Sequence, residues 1–445
     1  MSSSLLPSAQ PVATQPPRYY SSRDPERRLC SFADALLTGL APDGGLFLPE
    51  AIPLLPASWR EAASFAELGH RLLWPWLADS IDADTLGALL EDALHFPLEL
   101  QPLADDIAVL ELFHGPTLSF KDVGARTMAR LMNYFLRQRQ QQLIILVATS
   151  GDTGSAVADG FAAMDNIAVV LLYPKGKVSP VQERQLIVKR PGLHSLAVEG
   201  SFDDCQRLVK TAFRDPALAH MPLSSANSIN VGRLLPQAIY YCWAWQQADL
   251  AEGIACVPSG NLGNLTAGVL AARMGLGIRQ FIAAHNSNDY FPQFLADSCP
   301  AYAFKATAAT LSNAMDVGAP SNFERLDALL QGDAMRQHIH GVSISDEDTC
   351  QRMQQLYHEQ HYLACPHTAV GLEAAARYRR EPSEALPIIS LATAHPAKFP
   401  EVVQMALDIE PPKAEVLEQL WQRQVAVQDL PPDPEALREF LLAIA

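Results

Sequence analysis

Apolar residues recur at helical spacing in the first part of the chain. Residues 62–74 and 81–90 place apolar side chains at about every third or fourth position, which predicts two amphipathic helices. Pro75 is expected to interrupt the first, because proline lacks the N–H group that a helix interior needs. The pattern predicts a mainly helical N-terminal subdomain over residues 19–105. Before it, residues 1–18 form a Ser-, Pro- and Gln-rich tail that is expected to be disordered.

From residue 106 to residue 409 the pattern changes to short apolar runs, rich in β-branched residues, that alternate with helical stretches. Such alternation predicts an α/β core in which a parallel sheet has helices on both faces. The last segment, 410–445, contains two short helical patterns and is expected to be a helical extension. The runs interpreted as buried strands are 142–147, 167–172, 195–198, 253–257, 280–284 and 387–390.

Two of these strands run directly into a glycine-containing loop and then into a helix. Their sequences are LIILVATSGDTGSAVADGF and IACVPSGNLGNLTAGVLAARM. Ligands of parallel sheets bind beyond the carboxyl ends of the strands, where loops present backbone N–H groups and helix N-termini. Two such loops predict two anionic groups to bind, or one ligand held at both ends.

The first loop, residues 148–154, combines two glycines with three hydroxyl side chains, a set suited to a carboxylate or a phosphate. Asp152 is the discordant member, because a buried carboxylate needs a cation or a donor, such as the hydroxyl or protonated imine of a cofactor. An ordinary strand–helix turn explains this loop equally well.

The second loop, residues 258–264, is more specific. Gly260 and Gly263 permit close approach of the backbone, and Asn261 and Asn264 add amide donors. The loop lacks the GK[ST] ending of a P-loop and the G-x-G-x-x-G spacing of a dinucleotide site. It therefore favours a single phosphate over a nucleotide.

A lysine follows the motif FHGPTLSF at the start of another predicted helix. Ser119 and Asp122 have the S-x-x-D spacing of a capping box, which places Lys121 in the first helical turn. The positive end of the helix dipole, together with burial, is expected to lower the pKa of this amine. A neutral amine can attack a carbonyl group to form a Schiff base. Taken alone, a lysine at a helix start is more often solvated.

Other polar residues near the strand ends are weaker candidates. Thr393 follows the predicted strand 387–390 and could offer a hydroxyl to a ring nitrogen, although a turn explains it as well. The segments 321–325 and 366–370 are polar but receive no role from their residues alone. The candidate cations for a substrate phosphate are Lys175, Lys177, Arg184 and Arg233, and such residues are more often surface groups.

Composition narrows the class of protein. The 445 residues are 49% hydrophobic, with 49 acidic and 33 basic side chains and a net charge of −16, which disfavours nucleic acid and anionic membranes as partners. The 7 cysteines form no CxxC pair and are expected to be reduced, and no metal site is predicted. Without an apolar run of membrane length or a secretory signal, a cytoplasmic enzyme is expected.

Taken together, the motifs resemble the threonine synthase family of fold-type II pyridoxal-phosphate enzymes. The matching stretches, in family order, are HGPTLSFKDVGAR, ATSGDTGSA, SANSIN with GRLLPQ, PSGNLGN, PSNFERL and LATAHPAKFPE. YYSSR and PDGGLFLP also fit, so the resemblance runs from residue 19 to about residue 405. It implies two doubly wound parallel-sheet domains with the cofactor, pyridoxal 5'-phosphate, between them.

The resemblance also assigns roles to residues. Lys121 matches the Schiff-base lysine, Thr393 the partner of the pyridine nitrogen, and Asp152 the contact to the ring hydroxyl. The cradle for the cofactor phosphate matches Gly260, Asn261, Leu262, Gly263 and Asn264. The residues expected to bind substrate are Thr149, Ser150, Thr153, Ser155, Lys177, Asn230 and Arg233.

The implied substrate is O-phosphohomoserine, which reacts with water to give L-threonine and phosphate in a protein expected to be a monomer or homodimer. Three alternatives stay open. A related phospholyase would release 2-oxobutyrate from the same substrate, and a non-catalytic phosphoester-binding protein would be colourless. An amino-acid dehydratase or a cysteine-synthase-like enzyme would need no site for a substrate phosphate.

Overall fold

The structure is a computed structural model that describes residues 15–149, 151–162, 164–330, 332–380 and 385–444. Ser150, one of the residues expected to bind substrate, lies outside the described residues. The strands are β1 Tyr19–Ser21, β2 Phe47–Pro49, β3 Glu99–Pro102, β4 Ile107–Glu111, β5 Leu143–Ala148, β6 Ile167–Pro174, β7 Leu193–Val198, β8 Leu223–Ser224, β9 Gly253–Pro258, β10 Ile278–His285, β11 Ile339–Ser343, β12 Ile388–Ala392 and β13 Gln428–Leu430.

Helices connect the strands along the whole described chain. They are α1 Phe32–Thr38, α2 Phe65–Leu77, α3 Ala83–Ala93, α4 Lys121–Arg139, α5 Asp152–Gly160, α6 Pro180–Ile187, α7 Phe202–Ala212, α8 Val231–Leu234, α9 Ala238–Gln247, α10 Gly263–Arg273, α11 Tyr290–Leu295, α12 Phe323–Leu330, α13 Gly332–His338, α14 Asp346–Gln360, α15 Pro366–Arg380, α16 Pro400–Leu407, α17 Glu415–Leu420 and α18 Pro434–Ile444.

Two sheets form the frame of the α/β core. The first has the order β11-β10-β9-β12-β4-β3 and is parallel except for β3, which runs antiparallel to β4. The second, β13-β7-β6-β5-β8, is parallel throughout. Strands β5, β9 and β12 are buried along their whole length, as the continuous apolar runs predict. The expectation of two parallel sheets with helices packed on them is confirmed.

The six predicted strands all form, with ends that differ by a few residues. Short strands were missed where the pattern is polar or brief, as in β8, β11 and β13. Strand β13 pairs with β7, so the last segment extends the second sheet and is not purely helical as expected. Its three residues include two exposed ones, which leaves no apolar run to detect.

The two predicted N-terminal helices form as α2 and α3. Ser64 and Asp82 set their first residues, because each side chain accepts a backbone N–H bond from the first turn. Pro75 lies inside α2 and does not interrupt it. The proline comes two residues before the helix ends, and the buried Trp76 and Leu77 continue the apolar face beyond it.

One apolar core joins the N-terminal helices to the sheets. Tyr19 and Phe32 are buried side by side, and Phe32 also contacts Phe135 of α4 in an edge arrangement. Trp76 of α2 and Trp245 of α9 belong to the same cluster. Because these side chains share one core, the N-terminal segment is packed onto the α/β core and buries apolar surface that neither could bury alone.

The strand order brings the candidate loops to one place. β4, β12 and β9 are neighbours in the first sheet and run in the same direction, so the segments that follow them emerge at the same edge. From the second sheet, β5 leads into the loop before α5. The segments carrying Lys121, Thr393 and the 258–264 loop therefore meet the 148–154 loop between the sheets.

Substitutions at two glycines in helix interiors distinguish the effect of packing on stability from the effect of helix propensity. A Cβ atom at Gly268 of α10 would lie 2.8 Å from ring carbons of Phe281 and Tyr241, whereas at Gly87 of α3 it would be 3.8 Å from its nearest neighbour, in His70. Gly268→Ala should lower the free energy of unfolding by about 1 to 3 kcal/mol through overpacking. Gly87→Ala should raise it by roughly 0.5 to 1 kcal/mol through helix propensity. Chemical denaturation measures both, and equal effects would contradict the packing described for α10.

Candidate active site

Lys121 is the first residue of α4, at the end of the loop that follows β4. The chain beyond β12 fixes this loop from outside. Phe120 donates its N–H to the carbonyl of Thr393 (2.9 Å), and His395 donates to the carbonyl of Leu118 (3.1 Å). Lys121 thus begins a helix, as predicted, and lies beside the residue that follows the neighbouring strand.

The predicted capping box does not form. The hydroxyl of Ser119 is buried without a partner among the described residues, and Phe120, the residue before α4, provides no side-chain cap. Asp122 instead accepts hydrogen bonds from the backbone N–H (2.9 Å) and the hydroxyl (2.5 Å) of Thr117. Gly115 permits this fold of the loop, because a Cβ atom there would lie 2.5 Å from Asp122 Oδ2. Asp122 therefore braces the loop and not the helix end.

The Lys121 amine is largely buried, with 14% of its side chain exposed. Its Nζ lies 3.5 Å from Asp152 Oδ2 and 4.6 Å from the centre of the Phe120 ring. Burial lowers the pKa of Lys121, Asp152 opposes this, and the positive charges of Lys398 and Arg233 lower it further. Burial is thus the largest cause of the lowered pKa of Lys121.

Asp152 begins α5 and is buried among donors. Its Oδ1 accepts from Lys398 Nζ (2.9 Å) and from the side-chain amide of Gln182 (3.0 Å). Burial alone would raise the pKa of Asp152, but Lys398 and Lys121 together hold it well below its usual range. The sequence predicted that this carboxylate needs a cation, and the structure places two beside it, Lys121 and Lys398. Gly151 adopts a φ of 138°, and a Cβ atom there would lie 2.6 Å from Gln182 Cδ.

Lys398 is the residue that sequence reasoning missed. It lies in the motif LATAHPAKFPE, but a lysine just beyond a strand gives no local sign of burial. The structure buries its side chain completely, and its Nζ also donates to the carbonyl of Thr117 (2.8 Å). Lys398 thus links the loop before Lys121 to the start of α5.

The hydroxyls of the first loop shape the loop itself. Thr149 Oγ1 accepts from the N–H groups of Gly151 (3.0 Å) and Gly154 (2.8 Å), and Ser155 Oγ donates to the carbonyl of Asp152 (3.1 Å). Thr149 and Ser155 therefore have internal partners here. Thr153, on the same turn, is half-buried.

The second loop has the features of an anion site. Helix α10 begins at Gly263 after Leu262, whose φ of 60° turns the chain, and no side chain caps the helix. Asn264 accepts from the hydroxyls of Tyr240 (2.6 Å) and Tyr241 (2.8 Å), and its Nδ2 is buried without a partner among the described residues. An uncapped helix start with a spare buried donor fits a phosphate group.

The rear of this loop is closely packed. A Cβ atom at Gly260 would lie 2.9 Å from Met315 Cα, and one at Gly263 would lie 3.2 Å from Ser228 Cβ. Asn261 donates to Ser228 Oγ (2.7 Å), and Asn322 donates to the Asn261 carbonyl (3.2 Å). Asn322 belongs to the polar segment 321–325, whose role the sequence left open. The structure places that segment behind the cradle.

Arg233 is a buried cation with few partners. One of its terminal nitrogens donates to the carbonyl of Ala226 (2.6 Å), and its Nε has no partner among the described residues. Burial lowers the pKa of Arg233 to about 10, so it stays charged at neutral pH. Among the described residues no carboxylate lies within ion-pair distance of Arg233, so its charge is available to an anion.

Two other residues that were predicted to bind substrate, Asn230 and Lys177, are not placed as free ligands in the cleft. Asn230 caps α8 through Gly232 and donates to the carbonyls of Leu36 (2.9 Å) and Ser225 (3.0 Å), so its side chain is not a free donor for substrate. Lys177 lies exposed in the turn after β6.

Two further basic candidates hold the C-terminal extension. Lys175 pairs with Asp429 (2.6 Å). Arg184 donates to the carbonyls of Leu420, Trp421 and Arg423. Their charge is directed at the last segment of the chain, and not at an anion in the cleft.

His367, in the other unassigned segment, is buried near the cradle. Its Nε2 accepts the N–H of Ala314 (3.1 Å), next to Met315, so Nδ1 carries the proton. Burial lowers the pKa of His367 to about 4, and the negative charge of Asp152 opposes this shift. The ring is therefore neutral at physiological pH and positions the backbone that covers Gly260.

The lysine, the phosphate-type cradle and the α/β frame define a pyridoxal-phosphate-dependent enzyme. A family model described as "Pyridoxal-phosphate dependent enzyme" matches residues 98–393. Models described as "Threonine synthase N terminus" and "Threonine synthase, C-terminal" match residues 18–94 and 368–441. The chain belongs to the threonine synthase family.

Individual relatives agree with the family models. A threonine synthase of Serratia marcescens is 38% identical over 435 residues, covering 96% of this chain and 99% of the relative. One of Haemophilus influenzae is 39% identical over 432 residues, covering 95% and 99%. The predictions of a threonine synthase and of pyridoxal phosphate as cofactor are confirmed.

Solved structures confirm the fold class. A pyridoxal-phosphate-bound threonine synthase from Brucella melitensis superimposes with a TM-score of 0.87 at 36% identity, over 96% of this chain and 98% of that chain. The Escherichia coli threonine synthase gives a TM-score of 0.88 at 37% identity, over 96% and 100%. Among the residues that the structure describes, no helix has the length and apolar character that crossing a bilayer requires.

The buried His367 predicts a loss of stability in acid. Its folded pKa of about 4 lies below the ordinary value of 6.5, so the unfolded chain binds the proton first as the pH falls. This contribution is complete above pH 6.5 and is lost as the pH falls toward 4, by about 3 kcal/mol.

His367→Gln keeps an acceptor for Ala314 and should flatten the dependence of unfolding free energy on pH in this window. His95→Gln, at an exposed histidine, is the matched control. Denaturant titrations at pH values across the window measure both variants, and an unchanged slope in His367→Gln would show that the ring is not buried as described.

Proposed function

We propose that this chain converts O-phosphohomoserine and water into L-threonine and phosphate, with Lys121 as the residue that holds the cofactor and moves protons. The observation that carries the proposal is the largely buried amine of Lys121, which lies 3.5 Å from the Asp152 carboxylate. Burial and the charge of the buried Arg233 both lower the pKa of this amine. A neutral amine and a spare cation are what an elimination of phosphate needs from the protein.

The chain offers a holder for each part of pyridoxal phosphate. The Lys121 amine would bond to the carbonyl carbon, and the segment Gly260–Asn264 would hold the phosphate through N–H groups of the α10 start and the spare Asn264 amide. Thr393, at the end of β12, would meet the ring nitrogen, and Asp152 would lie on the side of the ring hydroxyl. When bound, pyridoxal phosphate supplies an electron sink for the carbon next to the substrate amine.

Lys121 is placed to move protons. Burial lowers the pKa of this amine, so a larger fraction is neutral near pH 7 and can accept the α-proton of the substrate. The resulting ammonium would be stabilised by Asp152, which the two lysines keep ionised. The same group can then return protons during the exchange of phosphate for water. One residue can both accept and donate a proton efficiently only if its pKa lies near the working pH.

Arg233 is the best-placed cation for the substrate phosphate. It is fully buried, stays charged, and has a spare Nε donor. A guanidinium binds phosphate with two parallel hydrogen bonds, and its positive charge stabilises the additional negative charge that develops on the bridging oxygen as phosphate leaves. Thr153 and Ser150 remain proposed contacts of the substrate, whereas the internal bonds of Thr149 and Ser155 give these two a role in holding the loop.

Product analysis tests the reaction. We expect the protein, loaded with pyridoxal phosphate and given O-phosphohomoserine, to release threonine and phosphate in equal amounts. Lys121→Ala should reduce turnover by about a thousandfold or more, because it removes both the covalent holder and the proton carrier. Lys121→Arg preserves charge but not nucleophilicity and should be equally inactive. Phosphate released with 2-oxobutyrate and no threonine would contradict the proposed reaction, as would full activity in Lys121→Ala.

Steady-state kinetics tests the phosphate site. Arg233→Met should raise the KM for O-phosphohomoserine about tenfold or more, since a charged hydrogen-bond donor is lost. Lys177→Met, at the exposed lysine that the sequence also suggested, should leave KM within about twofold. Pyridoxal-phosphate affinity is measured in parallel. If Arg233→Met weakened only the binding of the cofactor, Arg233 would belong to the cofactor phosphate and not to the substrate.

A further inference from the structure

Two lysines from distant parts of the chain face one buried carboxylate. Lys121 begins α4 and Lys398 follows β12, and their Nζ atoms lie 3.5 Å and 2.9 Å from the two oxygens of Asp152. Two ammonium groups on a single carboxylate would leave an excess positive charge in a buried site, to which the charge of Arg233 adds. Such a charge is costly in a region that excludes water, so one of the lysines is favoured to lose its proton.

The contacts of the two lysines differ. Lys398 is completely buried, makes the shorter contact, and donates a second hydrogen bond to the carbonyl of Thr117 (2.8 Å). Lys121 is 14% exposed, makes the longer contact, and lies against the ring of Phe120. Lys398 thus has the partners that hold an ammonium group in place, whereas Lys121 is held only loosely by the same carboxylate.

We infer that Lys398 is a positioning residue that acts as the permanent counter-cation of Asp152 and thereby leaves Lys121 as the lysine that gives up its proton. This inference rests on the role proposed above for Lys121. Lys398 does not react in this scheme. It keeps Asp152 ionised and in place, through a contact to Oδ1 that does not compete with the Lys121 contact to Oδ2.

The groups around Lys121 determine the direction of each effect. Asp152 of α5 favours the protonated amine, and Lys398 and Arg233 disfavour it. His367 of α15 is kept neutral by burial, which lowers its pKa to about 4, and Asp122 of α4 has a pKa raised by burial to about 6. Removing Lys398 should therefore move the titration of Lys121 to higher pH. Removing the Asp152 charge should move it to lower pH.

This difference in direction separates the inference from a purely structural role. If the Lys398–Asp152 pair only held the fold together, removal of either partner would slow the chemistry of Lys121 in the same way at every pH. If Lys398 acts through charge, the two single variants should displace the pH profile in opposite directions, and a lysine-to-arginine change should preserve it.

The experiment measures capture of pyridoxal phosphate by the cofactor-free full-length protein. The rate at which the imine absorbance increases is recorded across neutral and alkaline pH for the wild type, Lys398→Met, Lys398→Arg and Asp152→Asn. We expect Lys398→Met to move the midpoint up by about one pH unit, so that capture near pH 7 is roughly tenfold slower and recovers in alkali. Lys398→Arg should stay near the wild type, and Asp152→Asn should move the midpoint down.

Borohydride reduction followed by peptide mapping identifies the lysine that captured the cofactor. Label on a lysine other than Lys121 would refute the proposed function itself. Label on Lys121 with an unmoved midpoint in Lys398→Met would refute only the inference about Lys398.

A second comparison covers the possibility that Lys398→Met fails to fold around an unpaired carboxylate. On the Asp152→Asn background, adding Lys398→Met leaves no unpaired buried charge at these two positions. The double variant should have its midpoint above that of Asp152→Asn by a similar interval. Identical profiles in these two proteins would overturn the inference.

Discussion

The buried carboxylate of Asp152 ties together segments that are far apart in sequence. Its partners come from the start of α4, from α6 and from the chain beyond β12. A carboxylate without such partners could not remain ionised in this environment. The two sheets are thus joined, at the point where their loops meet, by an interaction that is favourable only when all of its members are in place.

The N-terminal segment supports this arrangement from behind. Arg325 of α12 is buried and donates to the carbonyls of Phe47 (3.2 Å) and Ser228 (3.2 Å) and to the side chain of Asn322 (2.7 Å). Asn322 in turn holds the loop before α10 through the Asn261 carbonyl. A continuous chain of hydrogen bonds therefore runs from β2 to the cradle. The geometry of the phosphate-type site depends on how the N-terminal subdomain is seated.

What the sequence could predict follows from the range of the signals involved. The buried strands and the start of α4 at Lys121 are encoded by neighbouring residues, and so is the loop at 258–264 with its paired glycines. Lys398 could not be identified in this way, because its burial is created by Asp152 and Thr117 from other elements. The capping box at Ser119 failed for a local reason, because Thr117 of the same loop takes the place of Ser119. Asp122 satisfies its acceptors with Thr117, and local spacing cannot show that competition.

Strand β13 has a consequence for how the chain reaches this structure. It covers the outer edge of β7 with only three residues, two of them exposed, and so leaves little backbone for another molecule to pair with. Residues 193–198 and 428–430 are far apart in the chain, so their pairing requires the closure of a very long loop. During folding, the edge of β7 stays open until the final segment arrives. In that interval the uncovered edge of β7 can pair with a strand of another chain.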